Sequence, residues 1–218
     1  MIAIVDYDAG NLHSVQKAVA AVGLPCRVTA SPGEVESADA VVLPGVGAFR
    51  DSVARLRERG LLDPLRRFIA ADRPFLGICL GLQLLFEWGE EGAPPGQAAP
   101  QPGEACPGAG LAAFRGAVRR IAAPGLKIPH MGWNELRIER EHPLFAGLSP
   151  REHFYFVHSY HAVPAVPEER LATVDYGDPV TAAVGRGRVC AVQFHPEKSS
   201  AAGLRLLANF GRLAGVGS

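Results

Sequence analysis

Cys79 sits between two glycines in Gly77-Ile78-Cys79-Leu80-Gly81, after the apolar stretch Pro74 to Ile78 and ahead of Leu82, Leu84, Leu85 and Phe86. A thiol at such a strand-to-helix corner is thrust outward on a strained turn, the arrangement of a nucleophile elbow. Neighbours without Cβ atoms leave room for that turn, and the N-terminus of a following helix favours the thiolate through its dipole. The amide of Leu80, the next residue, is then placed to donate to an oxyanion. The alternative is an inert strand-end cysteine, which requires the glycine spacing and the element order to coincide by accident.

A thiol nucleophile needs a base, and the base needs an orienting group. Of seven histidines, His195 ends the apolar run Val189 to Phe194 and is followed by Pro196 and Glu197. In an extended segment residues two apart point the same way, so Glu197 can hold one ring nitrogen while the other faces Cys79. Taken alone, His-Pro-Glu is a weak signal that reads more readily as a solvated loop; its place at the end of a strand, in a chain with the elbow, strengthens the catalytic reading. In Leu43-Pro44-Gly45-Val46-Gly47-Ala48-Phe49 two glycines follow another apolar strand. Backbone there approaches a ligand closely and presents amides, the second half of an oxyanion hole. The third glycine of a dinucleotide fingerprint is missing, and a tight strand-to-helix turn is the other reading.

These residues need a scaffold, and the hydrophobic pattern supplies one. Residues 2–6 read as a strand, Gly10 as a turn, and Asn11 as the cap of a helix in which Leu12, Val15, Val19 and Val22 share a face. Apolar runs at Arg27 to Thr29, Ala40 to Leu43 and Phe75 to Ile78 alternate with helical stretches at Arg50 to Glu58 and Leu61 to Ala71, as in a parallel α/β sheet. Beyond residue 112 the texture changes. Ala117 to Ile121, Glu135 to Glu139, His153 to Val157, Leu171 to Val174, Thr181 to Val184 and Val189 to Phe194 read as strands without long helices between them, which predicts antiparallel or mixed pairing. Ala201 to Leu213 reads as a last amphipathic helix, and residues 89–110, mostly Gly, Ala and Pro, as a mobile surface loop. One domain over residues 1–218 is expected, with no internal repeat and no second core.

Composition narrows the class further. The chain has 218 residues, 48% hydrophobic and 20% charged, with 22 basic against 22 acidic side chains. That balance suits a globular protein with no global field toward nucleic acid or anionic membrane. No apolar run approaches the ~20 residues that cross a bilayer, and Met1 to Asp6 lacks the basic flank of a signal peptide, so a soluble cytosolic protein is expected. Cys26, Cys79, Cys106 and Cys190 lie far apart, against a zinc site or a disulfide framework. Cys26 and Cys190 read as small buried hydrophobes, and Cys106 as an unreactive thiol.

Together these segments resemble the class I (triad) glutamine amidotransferases, and more closely the HisH family, the glutaminase subunits of imidazole glycerol phosphate synthase. The resemblance covers nearly the whole chain. It rests on Ile4-Val5-Asp6-Tyr7 with Gly10-Asn11-Leu12, on Leu43 to Phe49, and on Gly77 to Phe86. It continues through Pro129-His130-Met131-Gly132-Trp133-Asn134, Tyr155-Phe156-Val157-His158-Ser159-Tyr160 and Phe194-His195-Pro196-Glu197-Lys198-Ser199. Pro44-Gly45-Val46-Gly47 and Gln83 stand where anthranilate-type and GMP-type relatives tend to have Pro-Gly-Pro-Gly and a histidine. Asp8-Ala9 departs from a glycine more usual in the family, and the stretch from Gly89 to Gly110 is longer than expected.

The resemblance implies a flavodoxin-like fold: a mostly parallel central sheet with helices on both faces and an added antiparallel or mixed section. It implies that Cys79 attacks the side-chain amide of glutamine, that His195 shuttles the proton and that Glu197 orients it. Leu80 and Val46 would meet the oxyanion through their amides, the latter once residues 45–47 adopt an active arrangement. Gly47, Gln83, Ser159 and Tyr160 would hold the backbone end of glutamine. No cofactor and no metal are implied. Ammonia would pass to a cyclase partner in a heterodimer, which makes imidazole glycerol phosphate and an aminoimidazole carboxamide ribotide from a phosphoribulosyl precursor in histidine biosynthesis. Met131, Trp133, Asn134, Tyr155 and Lys198 would face that partner.

Three rivals remain open at this stage. A cysteine peptidase or glyoxalase-like protein would carry its histidine close after the cysteine, where Leu80 stands. A non-catalytic scaffold would have lost a triad member, and none is lost. Metal chemistry by His153, His158 and His161 is disfavoured by offsets that send the rings to different faces of a strand.

Overall fold

The computed structural model describes residues 1–8, 10–93 and 109–217. The first half alternates strand and helix: β1 (Ile2–Val5), α1 (Leu12–Ala21), β2 (Cys26–Thr29), α2 (Pro32–Ser37), β3 (Ala40–Leu43), α3 (Phe49–Glu58), α4 (Leu62–Ala70) and β4 (Phe75–Ile78). A one-turn α5 (Leu80–Gln83) leads into β5 (Phe86–Gly89). Then come β6 (Phe114–Arg120), β7 (His130–Ile138), β8 (His153–His158), β9 (Tyr160–Pro164), β10 (Arg170–Tyr176), β11 (Asp178–Arg186), β12 (Val189–Val192) and α6 (Ser200–Ala214).

The main sheet runs β2-β1-β3-β4-β12-β11-β10-β7-β8. Its pairs are parallel from β2 to β12 and antiparallel from β12 to β8. A smaller sheet, β5-β6-β9, packs against it and shares its core through Phe86, Phe114 and Val118. Period-two alternation sorts the core onto the two faces of the main sheet. Ile2, Ile4, Ala40, Val42, Leu76 and Ile78 meet α1 and α6 through Val15, Val19, Leu207 and Phe210. Ala3, Val5, Val41, Leu43 and Phe75 meet α3 and α4 through Val53, Leu56, Leu65 and Phe68. Both faces are covered, so these strands are unbroken apolar runs. Among the described residues no helix is long and apolar enough to cross a membrane.

Several expectations need correction. The helical run drawn through Leu82 to Phe86 stops after one turn, and Phe86 opens β5. The dipole behind Cys79 is therefore that of a single turn. Asn11 precedes α1 with a left-handed backbone, φ 75°, and its side chain makes no cap hydrogen bond. Of the segment 89–110, Gly89 belongs to β5 and Gly110 O accepts from Arg66 at 2.7 Å. The rest of that expected loop, with Cys106, lies in 94–108, outside the described residues.

Gly81 shows how tightly the corner is built. A Cβ there would lie 1.8 Å from the carbonyl oxygen of Leu43, backbone of the neighbouring strand that no rotamer change can move. Gly81→Ala should therefore cost about 3 kcal/mol, the upper end for overpacking, read as a lower urea midpoint at unchanged slope. An unchanged midpoint would contradict this packing.

Candidate active site

Cys79 stands at the C-terminal end of β4 with φ 54° and ψ −108°, a backbone conformation costly for any residue bearing a Cβ. Its amide donates to Val192 O at 2.8 Å, which ties the corner to β12. Gly77 and Gly81 close around it: a Cβ on Gly77 would lie 2.7 Å from Gly81 O. The flanking glycines thus have the steric reason the sequence suggests.

His195 follows β12 and reaches the corner from the adjacent strand. Its Nδ1 lies 2.7 Å from Glu197 Oε1, and the two side chains are 2% and 0% exposed. The contact is as expected, but the local reason differs. Pro196–Lys198 forms a 3-10 turn rather than extended chain, and the turn brings the carboxylate back onto the ring. Nε2 is buried without a hydrogen-bond partner among the described residues. Burial by itself lowers the pKa of His195, but the Cys79 thiol and the Glu197 carboxylate outweigh it and hold the ring raised to about 9. The thiol is near enough to couple to the ring, while the pair falls short of ordinary hydrogen-bond geometry. An imidazole so placed can exchange a proton with the sulfur on one side and be steadied by the carboxylate on the other.

Cys79, Leu80 and His195 share a cavity of about 460 Å³ with Val46, Gly47, Gln83, Ser159 and Tyr160. Every residue expected to bind substrate or oxyanion is thus brought to one place. Of the two amides expected to meet an oxyanion, one is engaged and one is not. The Leu80 amide points at Gly45 O, 3.4 Å away, so the carbonyl of the glycine-rich segment occupies the position an oxyanion would take. The Val46 amide has no hydrogen-bond partner among the described residues. Gly47 adopts φ +112°, a conformation that side chains strain to reach.

Four of the five residues expected at a partner surface lie together. Met131 and Trp133 are 62% and 52% exposed, Trp133 meets the Tyr155 ring edge-on at 6.2 Å, and Lys198 Nζ lies 5.8 Å from the Tyr155 ring centroid. Lys198 also lines the cavity, so this apolar face adjoins its mouth. Asn134 separates from the group. Strand alternation puts it on the other face of β7, where its side chain donates to Asp175 O at 2.9 Å and lies 3.3 Å from His130 Nε2.

Sequence reasoning missed several groups. The Asn11 carboxamide donates to Glu197 Oε1, so Asn11 braces the carboxylate instead of capping α1; asparagine's tolerance of left-handed backbone was the available signal. Glu91 lines the cavity, accepts from the Phe49 amide at 3.1 Å and has its pKa raised by burial. The amide of Gln193, two residues before His195, lies 3.7 Å from Cys79 Sγ. His130 and His158, 3.1 Å apart, have pKa values pushed down by burial to about 4 and about 3. His153, His158 and His161 do not converge, and among the described residues no His/Cys/Asp/Glu group could hold a metal ion.

A thiol at the head of a parallel sheet, answered by an imidazole and a carboxylate from the next strand, marks a cysteine enzyme acting on an acyl or amide carbon. Residues 3–213 match the family model for glutamine amidotransferase class-I. HisH, a subunit of imidazole glycerol phosphate synthase, from Synechococcus elongatus is 51% identical over 96% of this chain and 91% of its own length. HisH from Moorella thermoacetica is 49% identical over 97% and 94%. The chain belongs to the class-I glutamine amidotransferase family and, within it, to the HisH group. A crystal structure of a glutamine amidotransferase shares the fold at TM-score 0.73 and 22% identity, covering 99% of this chain and 100% of the other.

The opposed histidine shifts predict a stability dome. Below pH 6.5 the unfolded chain takes up protons that folded His130 and His158 refuse until about pH 4 and 3, so stability falls as acid is added. His195 contributes stability that is complete below pH 6.5 and is lost as pH rises through about 9. Urea midpoints across pH 4 to 10 should peak near pH 6.5, with a shallower alkaline arm in Glu197→Gln. An unaltered alkaline arm in that variant would contradict the role of the carboxylate.

Proposed function

We propose that this chain, as one domain, is the glutaminase subunit of an imidazole glycerol phosphate synthase. Cys79 Sγ attacks the side-chain amide carbon of glutamine while His195 Nε2 takes the thiol proton. The tetrahedral intermediate collapses: the C–N bond breaks, His195 returns the proton to nitrogen, and ammonia leaves a glutamyl thioester on Cys79. Water, deprotonated by His195, then attacks the thioester; the C–S bond breaks and glutamate departs as the thiol is restored. Glu197 holds the Nδ1–H throughout, with Asn11 steadying the carboxylate.

What carries this reading is the convergence of thiol, paired imidazole, amide-bearing segment and polar cradle in one cavity. Both Gln83 amide protons are committed, to Tyr160 O and Gln193 Oε1 at 3.1 Å each, leaving its carbonyl oxygen as the group able to accept from a substrate ammonium. Glu91 adds a carboxylate of the right sign. Gly47, Ser159 and Tyr160 offer polar groups for the substrate carboxylate. Leu80 and Val46 supply the oxyanion donors after the Gly45 carbonyl swings away.

Ammonia is passed to the cyclase subunit, which uses it to form imidazole glycerol phosphate and an aminoimidazole carboxamide ribotide in histidine biosynthesis. The face of Met131, Trp133, Tyr155 and Lys198 beside the cavity mouth supports docking there. Tyr155 lies on β8, and its carbonyl accepts from the His195 amide at 2.9 Å, so pressure on the docking face reaches the triad through one backbone bond.

Glutamate release by the purified chain should be slow alone, because Gly45 O fills the oxyanion position. It should rise about a hundredfold or more with the cyclase subunit and its nucleotide ligand, the scale of one oxyanion donor. Cys79→Ala should lower release about 10⁴-fold or more with cyclase binding intact. Hydrolysis indifferent to the cyclase would point to another amidotransferase, and hydrolysis surviving in Cys79→Ala would overturn the nucleophile.

A further inference from the structure

The side chain of Gln193 is a fully buried carboxamide, 0% exposed, lodged between Gln83 and Cys79. Burying such a group costs free energy unless both ends are paired. Gln193 Oε1 accepts from Gln83 Nε2 at 3.1 Å, and Gln193 Nε2 donates to Cys79 Sγ at 3.7 Å. We propose that Gln193 is a further catalytic residue, whose N–H holds the sulfur as it becomes a thiolate, and that the Tyr160 carbonyl, acting through the Gln83 amide, aims that N–H. The proposal rests on the glutaminase reading above and names a group in the same site to which that reading gives no chemical role.

The polarity of these bonds follows from donor and acceptor counts. His158 Nδ1 lies 2.8 Å from Tyr160 O, which can only accept, so Nδ1 carries the proton and His158 Nε2 is an acceptor. His130 Nδ1, 3.1 Å from that nitrogen, must then donate, which leaves His130 Nε2 to accept from Asn134 Nδ2 at 3.3 Å. Tyr160 O also receives one Gln83 proton, and the other Gln83 proton fixes Gln193 Oε1 as an acceptor. Turning Gln193 over would set N–H against N–H at Gln83 and a carbonyl oxygen against sulfur. Tyr160 O accepts from Gln83 whatever the charge on the imidazoles, so the polarity does not change with pH. Asn134, off the docking face, ends a second arm, through His130 and His158, that converges on the same Tyr160 carbonyl.

The reaction uses such a donor twice. When His195 takes the thiol proton, negative charge appears on sulfur, and a hydrogen bond to a charged acceptor is about twice as strong as one to a neutral atom. In the thioester the sulfur is neutral and the bond weakens. When water attacks and the C–S bond breaks, sulfur leaves with the electron pair and the bond strengthens again. Among the described residues, His195, from beyond β12, and Tyr7, from beyond β1, couple to the sulfur, and Glu91, His158 and Lys198 line the same cavity. Gln193 adds a donor that does not titrate.

The test uses the full chain with its cyclase subunit and two readouts on Gln193→Met, which keeps side-chain length and removes the donor. Inactivation by iodoacetamide, followed against pH, needs no glutamine and reads the contact with sulfur directly. Its acid limb should move to higher pH, while kcat for glutamate release falls about tenfold, the scale of one hydrogen bond to a charged group, and KM stays within about twofold. Gln193→Leu, smaller and likewise without a donor, should show the same shift and is the deciding variant if Gln193→Met fails to fold. An unmoved alkylation profile in the folded variant, or a rise in KM at constant kcat, would overturn the proposal. Wild-type protein that alkylates normally yet releases no glutamate would instead sink the glutaminase reading and leave the sulfur contact standing.

Discussion

The backbone of Cys79 is the constraint around which the rest is arranged. A residue with a Cβ persists at φ 54° and ψ −108° only where its surroundings over-determine it. Here Gly77 and Gly81 close around the corner, Leu43 O bars any side chain at Gly81, and Val192 O holds the Cys79 amide. The strands that supply those contacts also supply the chemistry. Next to β4 lies β3, which runs on into Gly45 to Gly47; on its other side lies β12, which runs on into Gln193, His195 and Glu197. Three adjacent parallel strands end at one crevice, the place where open α/β sheets put their ligands. The next strand over, β1, feeds Tyr7 and Asn11 to the same end.

Electrostatics then separates groups that burial alone would treat alike. His195 and His158 are 1% and 6% exposed, yet one is held well above the usual histidine range and the other well below it. The difference lies in their partners. His195 faces a carboxylate and a thiol, which favour its cation. His158 faces a neutral imidazole and a carbonyl that needs only one ring proton, so desolvation wins. One histidine is thereby able to carry a proton, and the pair behind it is fixed as neutral polar links. The oxyanion position shows a similar economy: with Leu80 N–H on Gly45 O, the donor is satisfied at rest and a substrate must displace a carbonyl to use it.

Much of this was legible in the sequence because buried parallel strands announce themselves. Ala40–Leu43 and Phe75–Ile78 appear in the structure with the bounds their apolar runs suggest. The elbow cysteine, the late His-Pro-Glu and the glycine-rich segment share one cavity rim because each follows such a strand. Local patterning failed where tertiary contact overrides it. β5 was hidden because Leu82 to Phe86 keeps a helical rhythm, while pairing with β6 pulls Phe86 to Gly89 into a strand. β9 was hidden because its burial is mixed and its partner lies some forty residues back. Asn11 meets Glu197 across 186 residues of sequence, and no local rule reaches that far. Gln193 gave no local signal: β12 ends at Val192, and the bend that follows turns its side chain toward Cys79.

The account stands on Cys79 as the atom that bonds to glutamine, and covalent trapping tests this most directly. The chain, with a cyclase subunit present, would be treated with a glutamine analogue whose side-chain amide is replaced by an electrophilic ketone, digested and mapped by mass. One equivalent on the peptide carrying Cys79, suppressed by excess glutamine, is the predicted result. Label on Cys26, Cys106 or Cys190 in its place, or no label while glutamate is still released, would contradict it.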